Sequence, residues 1–383
     1  MNNFIFQNPT RLVFGRGQIA RLGQLIPAGA KLMITFGGGS IFKNGVYDQV
    51  KKALNGRTWI EFSGIEANPE YDTLMRAVAQ ARDNEVDFLL AIGGGSVIDG
   101  TKFIASALRF EGDPWDFMVG NGKAQDAVPL ATVLTLPATG SEMNNGAVIS
   151  RRSKGEKFAF NNDKCFPLFS ILDPEVCYSL PRKQVANGIV DTFAHTLEQY
   201  LTTQNSNEVM DRWAEALLNT LVELAPTLLS GKKDYDAFAN FMLSATMGLN
   251  GFIAMGTDQD WATHMIGHEL TALHGLDHGA TLAIVYPGMM DVMRESKEGK
   301  LLQYGARVWN IFEGSVDERI EATIEATENF FRSLGMLTRL TENHIFQDTI
   351  TEIVTRFTSR HWNIGEGALV SPDKVEKILL RQL

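Results

Sequence analysis

Asp191 and His195 stand four residues apart in GIVDTFAHTLEQY, a spacing that puts both side chains on one face of a helix. His264 and His268 repeat it in THMIGHE, and His274 and His278 follow in LHGLDHG, so these 15 residues hold four of the chain's 7 histidines. A lone histidine on an apolar helix is more often a satisfied core residue. Two such pairs plus a histidine beyond the Gly275 break suit another task, because a borderline divalent cation takes N and O ligands from facing helices. Zinc and iron(II) are the natural ions, and the lack of cysteine in the group argues against a closed structural zinc site. Spacing leaves open which four of Asp191, His195, His264, His268, His274 and His278 coordinate; the rest would orient ligands or move protons.

A second chemistry is written in glycine. Gly37-Gly38-Gly39-Ser40 follows the apolar run KLMITF, and Gly93-Gly94-Gly95-Ser96 follows FLLAI. In an open α/β sheet the carboxyl ends of the strands form the ligand crevice, and glycine there lets phosphate approach backbone N–H groups at a helix start. Two such turns, with serine expected as N-cap, suit a nucleotide with several phosphates. Pro137-Ala138-Thr139-Gly140-Ser141-Glu142 puts further small and hydroxyl residues at the end of ATVLTL. Gly15 to Ala20 matches GxGxxA formally, but no acidic residue follows at the distance needed to hold a ribose, so it is rejected as a cofactor loop.

Two kinds of element must position these groups. Up to about Leu180, short runs (31–36, 59–62, 87–92 and 131–136) alternate with helix-period segments such as YDTLMRAVAQARDNE and SVIDGTKFIASAL. That alternation predicts a Rossmann-like, mostly parallel sheet covered by helices, an α/β domain over residues 1–180. Beyond it, long amphipathic patterns such as KQVANGIVDTFAHTLEQYL and DAFANFMLSATMGLNGFIA predict an all-helical domain over 181–383.

Composition narrows the partner. A formal charge of −10, with no lysine or arginine run, argues against nucleic acid and for a small molecule. The N-terminal residues carry no signal-peptide pattern and no long apolar run occurs, so neither secretion nor membrane insertion is expected and the cytoplasm is the expected location. Cys165 and Cys177 read as packed free thiols. A nucleotide crevice and a metal together suggest hydride transfer, with the metal as Lewis acid on the substrate oxygen.

In order and spacing, GGGSVIDGTK, TLPATGSE, GIVDTFAH and HMIGHELTALHGLDHGATLAIVYP resemble the iron-containing, group III alcohol dehydrogenase family. FGGGS, PATGSEMNNGAVIS and QDWATHMIGHELTALHGLDHG resemble its NADPH-dependent aldehyde reductase and butanol dehydrogenase branch. The resemblance implies the dehydroquinate synthase-like fold of that family, metal ligands Asp191, His195, His264 and His278, and His268 beside the substrate as proton relay or contact. His274 matches the branch without a role. It implies cofactor contacts from Gly94, Gly95, Ser96 and Asp99, with Thr135, Thr139, Ser141, Asn144 and Lys157 lining the rest, and a homodimer. Where NAD-preferring relatives carry an aspartate, this chain has Gly37, Gly38, Gly39 and Ser40 with Lys43 nearby, which favours NADP(H). Met143 stands where a small polar residue is expected.

The expected reaction is metal-dependent reduction of short- to medium-chain aldehydes, or oxidation of primary alcohols. A polyol dehydrogenase and a dehydroquinate synthase-like lyase are the alternatives; the latter needs a basic pocket, which these segments lack apart from Lys157. Trp261, Met265 and Leu270 suit either an apolar substrate pocket or helix core, and the last forty or so residues carry no recognisable motif.

Overall fold

The computed structural model describes residues 1–203 and 206–383. They form two compact units: Gln7–Pro181 with Gly231–Asn250, and Met1–Phe6 with Arg182–Ser230 and Gly251–Leu383.

The first unit is built on a six-stranded, wholly parallel sheet of β1 (Arg11–Phe14), β2 (Leu32–Phe36), β3 (Trp59–Phe62), β4 (Phe88–Gly94), β5 (Leu130–Leu136) and β8 (Phe169–Leu172), ordered β1-β8-β5-β4-β2-β3. LMITF, FLLAI and LATVLT are each buried at every position, as expected of central parallel strands covered on both faces. β3, at the edge, is only half-buried. β1 and β8 were not foreseen from sequence; nor was the antiparallel hairpin of β6 (Gly146–Arg151) and β7 (Glu156–Asn161). From β2 the chain moves outward to β3, and from β4 it moves the other way to β5, so the strand order reverses between the neighbours β2 and β4. That reversal is where a doubly wound sheet opens a crevice.

The helix Tyr235–Gly248, which the amphipathic pattern assigned to the helical half, belongs instead to this sheet-containing unit. Its Thr246 hydroxyl donates to the buried Glu142 carboxylate at 2.5 Å, a polar tie that helix periodicity cannot reveal.

The other unit is helical. Arg182–Tyr200 is buried almost all round from Val185 onward, as expected of a central helix. Thr192 and Thr196 avoid unsatisfied hydroxyls there by bonding back to the carbonyls of Gly188 (2.8 Å) and Thr192 (2.9 Å). Ala262–His274 and His278–Val292 share an apolar core with Gln347–Ser359 and Pro372–Leu380, through Ile266, Leu270, Ile284, Phe357 and Ile378. Leu270 is therefore core. Among the described residues no helix is long and apolar enough to cross a membrane.

Candidate metal centre and nucleotide crevice

Three helices carry the metal-type residues. Asp191 and His195 lie one turn apart on Arg182–Tyr200, and His264 is on the first turn of Ala262–His274. That helix ends at Gly275, whose φ of 68° makes a left-handed cap, and three residues later His278 opens the next helix. Asp277 anchors this corner by accepting from Lys183 Nζ (2.7 Å) and Asn187 Nδ2 (3.2 Å). Gly279 lets it close: a Cβ there would stand 2.7 Å from the Asn187 carbonyl oxygen.

Asp191, His195, His264 and His278 each offer one donor atom, all within 4.8 Å of one another. His278 Nε2 lies 3.4 Å and His195 Nδ1 3.7 Å from Asp191 Oδ1, and the His195 and His264 rings stack at 4.5 Å. Three of the four are buried and His278 is partly open. Burial, then the neighbouring His264, holds His195 well below the ordinary imidazole range, in the neutral form that ligates. Its Nδ1 is buried without a hydrogen-bond partner, a costly orphan unless an ion takes it. Three imidazoles and a carboxylate thus fit a first-row divalent cation such as iron(II) or zinc.

Sequence reading missed Glu198. Its carboxylate accepts from His264 Nδ1, from Thr263 N (2.7 Å) and from His264 N (3.3 Å). With Nδ1–H so engaged, Nε2 of His264 is the nitrogen available to an ion, the arrangement by which outer carboxylates orient metal-bound histidines. Burial, then the Asp260 carboxylate, pushes Glu198 well above the usual carboxylate range, and a divalent charge on His264 would act in the opposite sense. The signal was present: Asp191, His195 and Glu198 sit at spacings of four and three on one helix face.

The remaining histidines separate. His268 lies beside this group, its ring 5.5 Å from His278 and 6.4 Å from His264. His274 points elsewhere, pairing through Nε2 with Thr349 Oγ1 at 2.9 Å.

In the sheet unit the two glycine turns are neighbours. Phe36 on β2 pairs with Ile92 on β4, so Gly37–Gly39 and Gly93–Gly95 leave adjacent strand ends, and Gly94 pairs with Leu136 just before the Pro137–Gly140 turn. Gly95 opens the helix Gly95–Ala107, whose first N–H groups have no acceptor within the helix. The serines are not N-caps as expected: Gly39 and Gly94 hold those positions, and Ser40 and Ser96 stand inside their helices.

Several residues expected at the cofactor are engaged by the protein itself. Asp99 accepts from Ser141 Oγ (2.6 Å) and Val148 N (2.9 Å). The Asn144 amide donates to the carbonyls of Gly140 (3.0 Å) and Leu249 (3.1 Å), and its oxygen accepts from Lys102 Nζ (2.8 Å) and Gly146 N (3.0 Å), which uses its full capacity. Asn144 therefore shapes the crevice and has no bond left for a ligand. Lys102, another residue missed from sequence, is fully buried and also donates to Ser141 Oγ and Gly146 O, both at 2.8 Å. Burial pushes its ammonium down to about 8, opposed by Asp99. Lys157 Nζ donates to Asn68 Oδ1 at 2.9 Å, Thr135 is buried on β5, and the Thr139 hydroxyl accepts from Ser141 N at 3.2 Å. Met143 is held in place by its carbonyl, which accepts from Asn8 Nδ2 at 2.8 Å. Cys165 and Cys177 are buried free thiols.

Residues 9–174 match the family model for iron-containing alcohol dehydrogenases, and residues 185–383 match that for the C-terminal part of the same family. The chain is 55% identical over 382 residues, 99% of each chain, to the NADPH-dependent aldehyde reductase YqhD of Escherichia coli, and 39% identical over 388 residues, all of each chain, to a probable NADH-dependent butanol dehydrogenase of Bacillus subtilis. Among solved structures it resembles E. coli YqhD (TM-score 0.98, 50% identity, 100% and 99% of the two chains) and the NADH-dependent butanol dehydrogenase A of Thermotoga maritima (TM-score 0.95, 37% identity, 100% and 99%). With its parallel sheet, its helical half and its Asp/His₃ donor set, the chain belongs to the iron-containing alcohol dehydrogenase family.

Proposed function

We propose that the protein is a metal-dependent, NADP(H)-dependent aldehyde reductase acting on short- to medium-chain aldehydes and the corresponding primary alcohols. The observation that carries this is the convergence of Asp191, His195, His264 and His278, in a chain 55% identical to an NADPH-dependent aldehyde reductase. A cation held by these residues supplies positive charge to the substrate oxygen, and the nicotinamide supplies hydride. The protein's own part is to hold neutral imidazoles, orient His264 through Glu198, and keep His268 beside His278, where a proton can pass to or from the substrate oxygen.

The first turn of Gly95–Ala107 is the phosphate-binding element of this reading, with Gly94, Gly95 and Ser96 approaching the diphosphate and Asp99 and Ser141 bracing the turn. Relatives of this chain carry both NADPH- and NADH-dependent names, so the choice is read from the turn after β2. Gly37, Gly38, Gly39 and Ser40 place no carboxylate there, and Gly38 faces open space, which favours a 2′-phosphate. Such a reductase would work in the cytoplasm, where NADPH is kept reduced. Phe4, Ile5, Phe6, Val209 and Trp213 form an exposed apolar group, which supports a homodimer.

The test follows NADPH absorbance with butanal, using protein as isolated, after chelation and after restoring zinc or iron(II). Loss on chelation and recovery with one ion is expected, with a higher kcat/KM for NADPH than for NADH. Activity unchanged after verified metal removal would sink the metal-dependent reading. Turnover of glycerol without butanal would replace it with the polyol reading.

A further inference from the structure

Lys102 is fully buried, and a buried ammonium is kept only where its charge and its N–H groups are answered. It stands seven residues after Gly95 on the helix Gly95–Ala107. That is about 10 Å along the axis from the N–H groups that the nucleotide reading assigns to the diphosphate. Its three donors go to Ser141 Oγ, Asn144 Oδ1 and Gly146 O, each at 2.8 Å, so all three acceptors come from the segment that joins β5 to β6.

Asp99, nearly one turn closer to the helix start, grips the same segment by accepting from Ser141 Oγ (2.6 Å) and Val148 N (2.9 Å). The single Ser141 proton goes to Asp99, and the Ser141 oxygen accepts from Lys102, which makes a carboxylate–hydroxyl–ammonium row. The segment so held rests on the phosphate-binding turn itself. A Cβ on Gly95 would run into the Thr139 side chain, and one on Gly94 would stand 3.0 Å from Leu136 Cβ. The row also has an electrostatic consequence, because a carboxylate just inside a helix start opposes an anion bound there and a neighbouring ammonium offsets it. The influence is mutual: burial pushes Lys102 down to about 8, and Asp99, then Cys165 and Glu142, work against that.

We propose that Lys102 is a positioning residue of the nucleotide crevice: its buried charge offsets Asp99 beneath the phosphate-binding turn, and its three hydrogen bonds fix the 139–146 segment against the helix start. The inference rests on the NADP(H) reading for the identity of the ligand. At an effective dielectric of about 20, a unit charge about 10 Å from a phosphate is worth about tenfold in affinity.

The experiment measures by calorimetry the Kd of 2′-phospho-ADP-ribose and of ADP-ribose, which carry the diphosphate and lack nicotinamide. Lys102→Met, neutral and of similar length, should weaken both about tenfold. Adding Asp99→Asn should recover most of that loss, since it removes the unbalanced carboxylate and its amide can donate to Ser141 Oγ in place of the ammonium. A single variant that binds as wild type does, or a double variant no tighter than the single, overturns the inference, because packing alone gives no such rescue. If Lys102→Met does not fold, the pH dependence of wild-type binding decides. From about pH 7 to about pH 9.5 the ammonium loses its proton, so affinity should fall about tenfold around pH 8, whereas Cys165, pushed up to about 11 by burial, stays neutral. Of the other groups facing this row, Glu142→Gln should leave the fall in place, and Lys157, which faces Asp99, is engaged by Asn68. In Asp99→Asn the fall should move to lower pH, because the carboxylate that keeps Lys102 charged is gone. A flat profile, or a fall that vanishes in Asp99→Asn, overturns the inference. Equal wild-type affinity for the two ligands removes the 2′-phosphate preference while the Lys102 effect on each still decides; binding of neither overturns the nucleotide reading and this inference with it.

Discussion

An imidazole that serves a metal must keep one nitrogen for the ion, and the protein must spend a group to hold the other. For His264 that group is Glu198, which receives Nδ1–H and two backbone N–H groups of the same helix start. Glu198→Gln keeps the shape and removes the charge. We expect divalent-ion affinity to fall about tenfold to a hundredfold, measured by competition with a chelator, with the helical circular dichroism unchanged. Unchanged affinity would show that His264 is oriented by its own helix alone. Asn144 makes the complementary point: its residue type suits ligand contact, and its four bonds inside the protein leave it none.

Among the elements, the decisive one is the corner between Ala262–His274 and His278–Val292. A left-handed Gly275 stops the first helix, Asp277 pins the turn to Lys183 and Asn187, and Gly279 allows the second helix to touch the backbone of Arg182–Tyr200. That contact brings His278 to 3.4 Å from Asp191. In Gly279→Ala the added methyl meets a carbonyl oxygen and an α-carbon rather than a flexible side chain, so the helices must part, at a cost of about 1–3 kcal/mol. Thermal melts of the apo and metal-loaded protein should show a lower Tm in both states and a smaller gain on adding metal. A variant whose gain matches wild type would mean that His278 reaches Asp191 without the close approach.

On the scale of the whole molecule, the exposed apolar group near the N-terminus is a feature that the packed interior does not explain. Ile5 is fully exposed, flanked by exposed Phe4 and Phe6, and Phe6 continues through Phe252 (6.0 Å) to the half-exposed Trp213 (5.0 Å beyond). Under the proposed homodimer this group is covered by the second copy. Ile5→Asp should then shift the sedimentation coefficient from dimer to monomer at micromolar concentration while leaving the monomer's circular dichroism intact; an unshifted dimer would place the interface elsewhere.

The sequence alone was enough for the layers and the ligand types. Strands 32–36, 88–94 and 130–136 are legible because burial on both sheet faces demands unbroken apolar runs, and the metal-type group of Asp191, His195, His264, His268, His274 and His278 because helical spacing and residue chemistry are local properties; spacing did not single out the four whose donor atoms lie within 4.8 Å of one another. What it could not reach was set by packing across distance. Glu198 meets a histidine 66 residues away and Lys102 a turn some 40 residues on. The helix Tyr235–Gly248 joins a sheet that precedes it, and Trp362 walls a cavity whose other side begins near residue 259. Periodicity states which face of an element is apolar. Only the tertiary structure decides what that face meets, because the partner is chosen by complementary shape and by the need to satisfy every buried polar group.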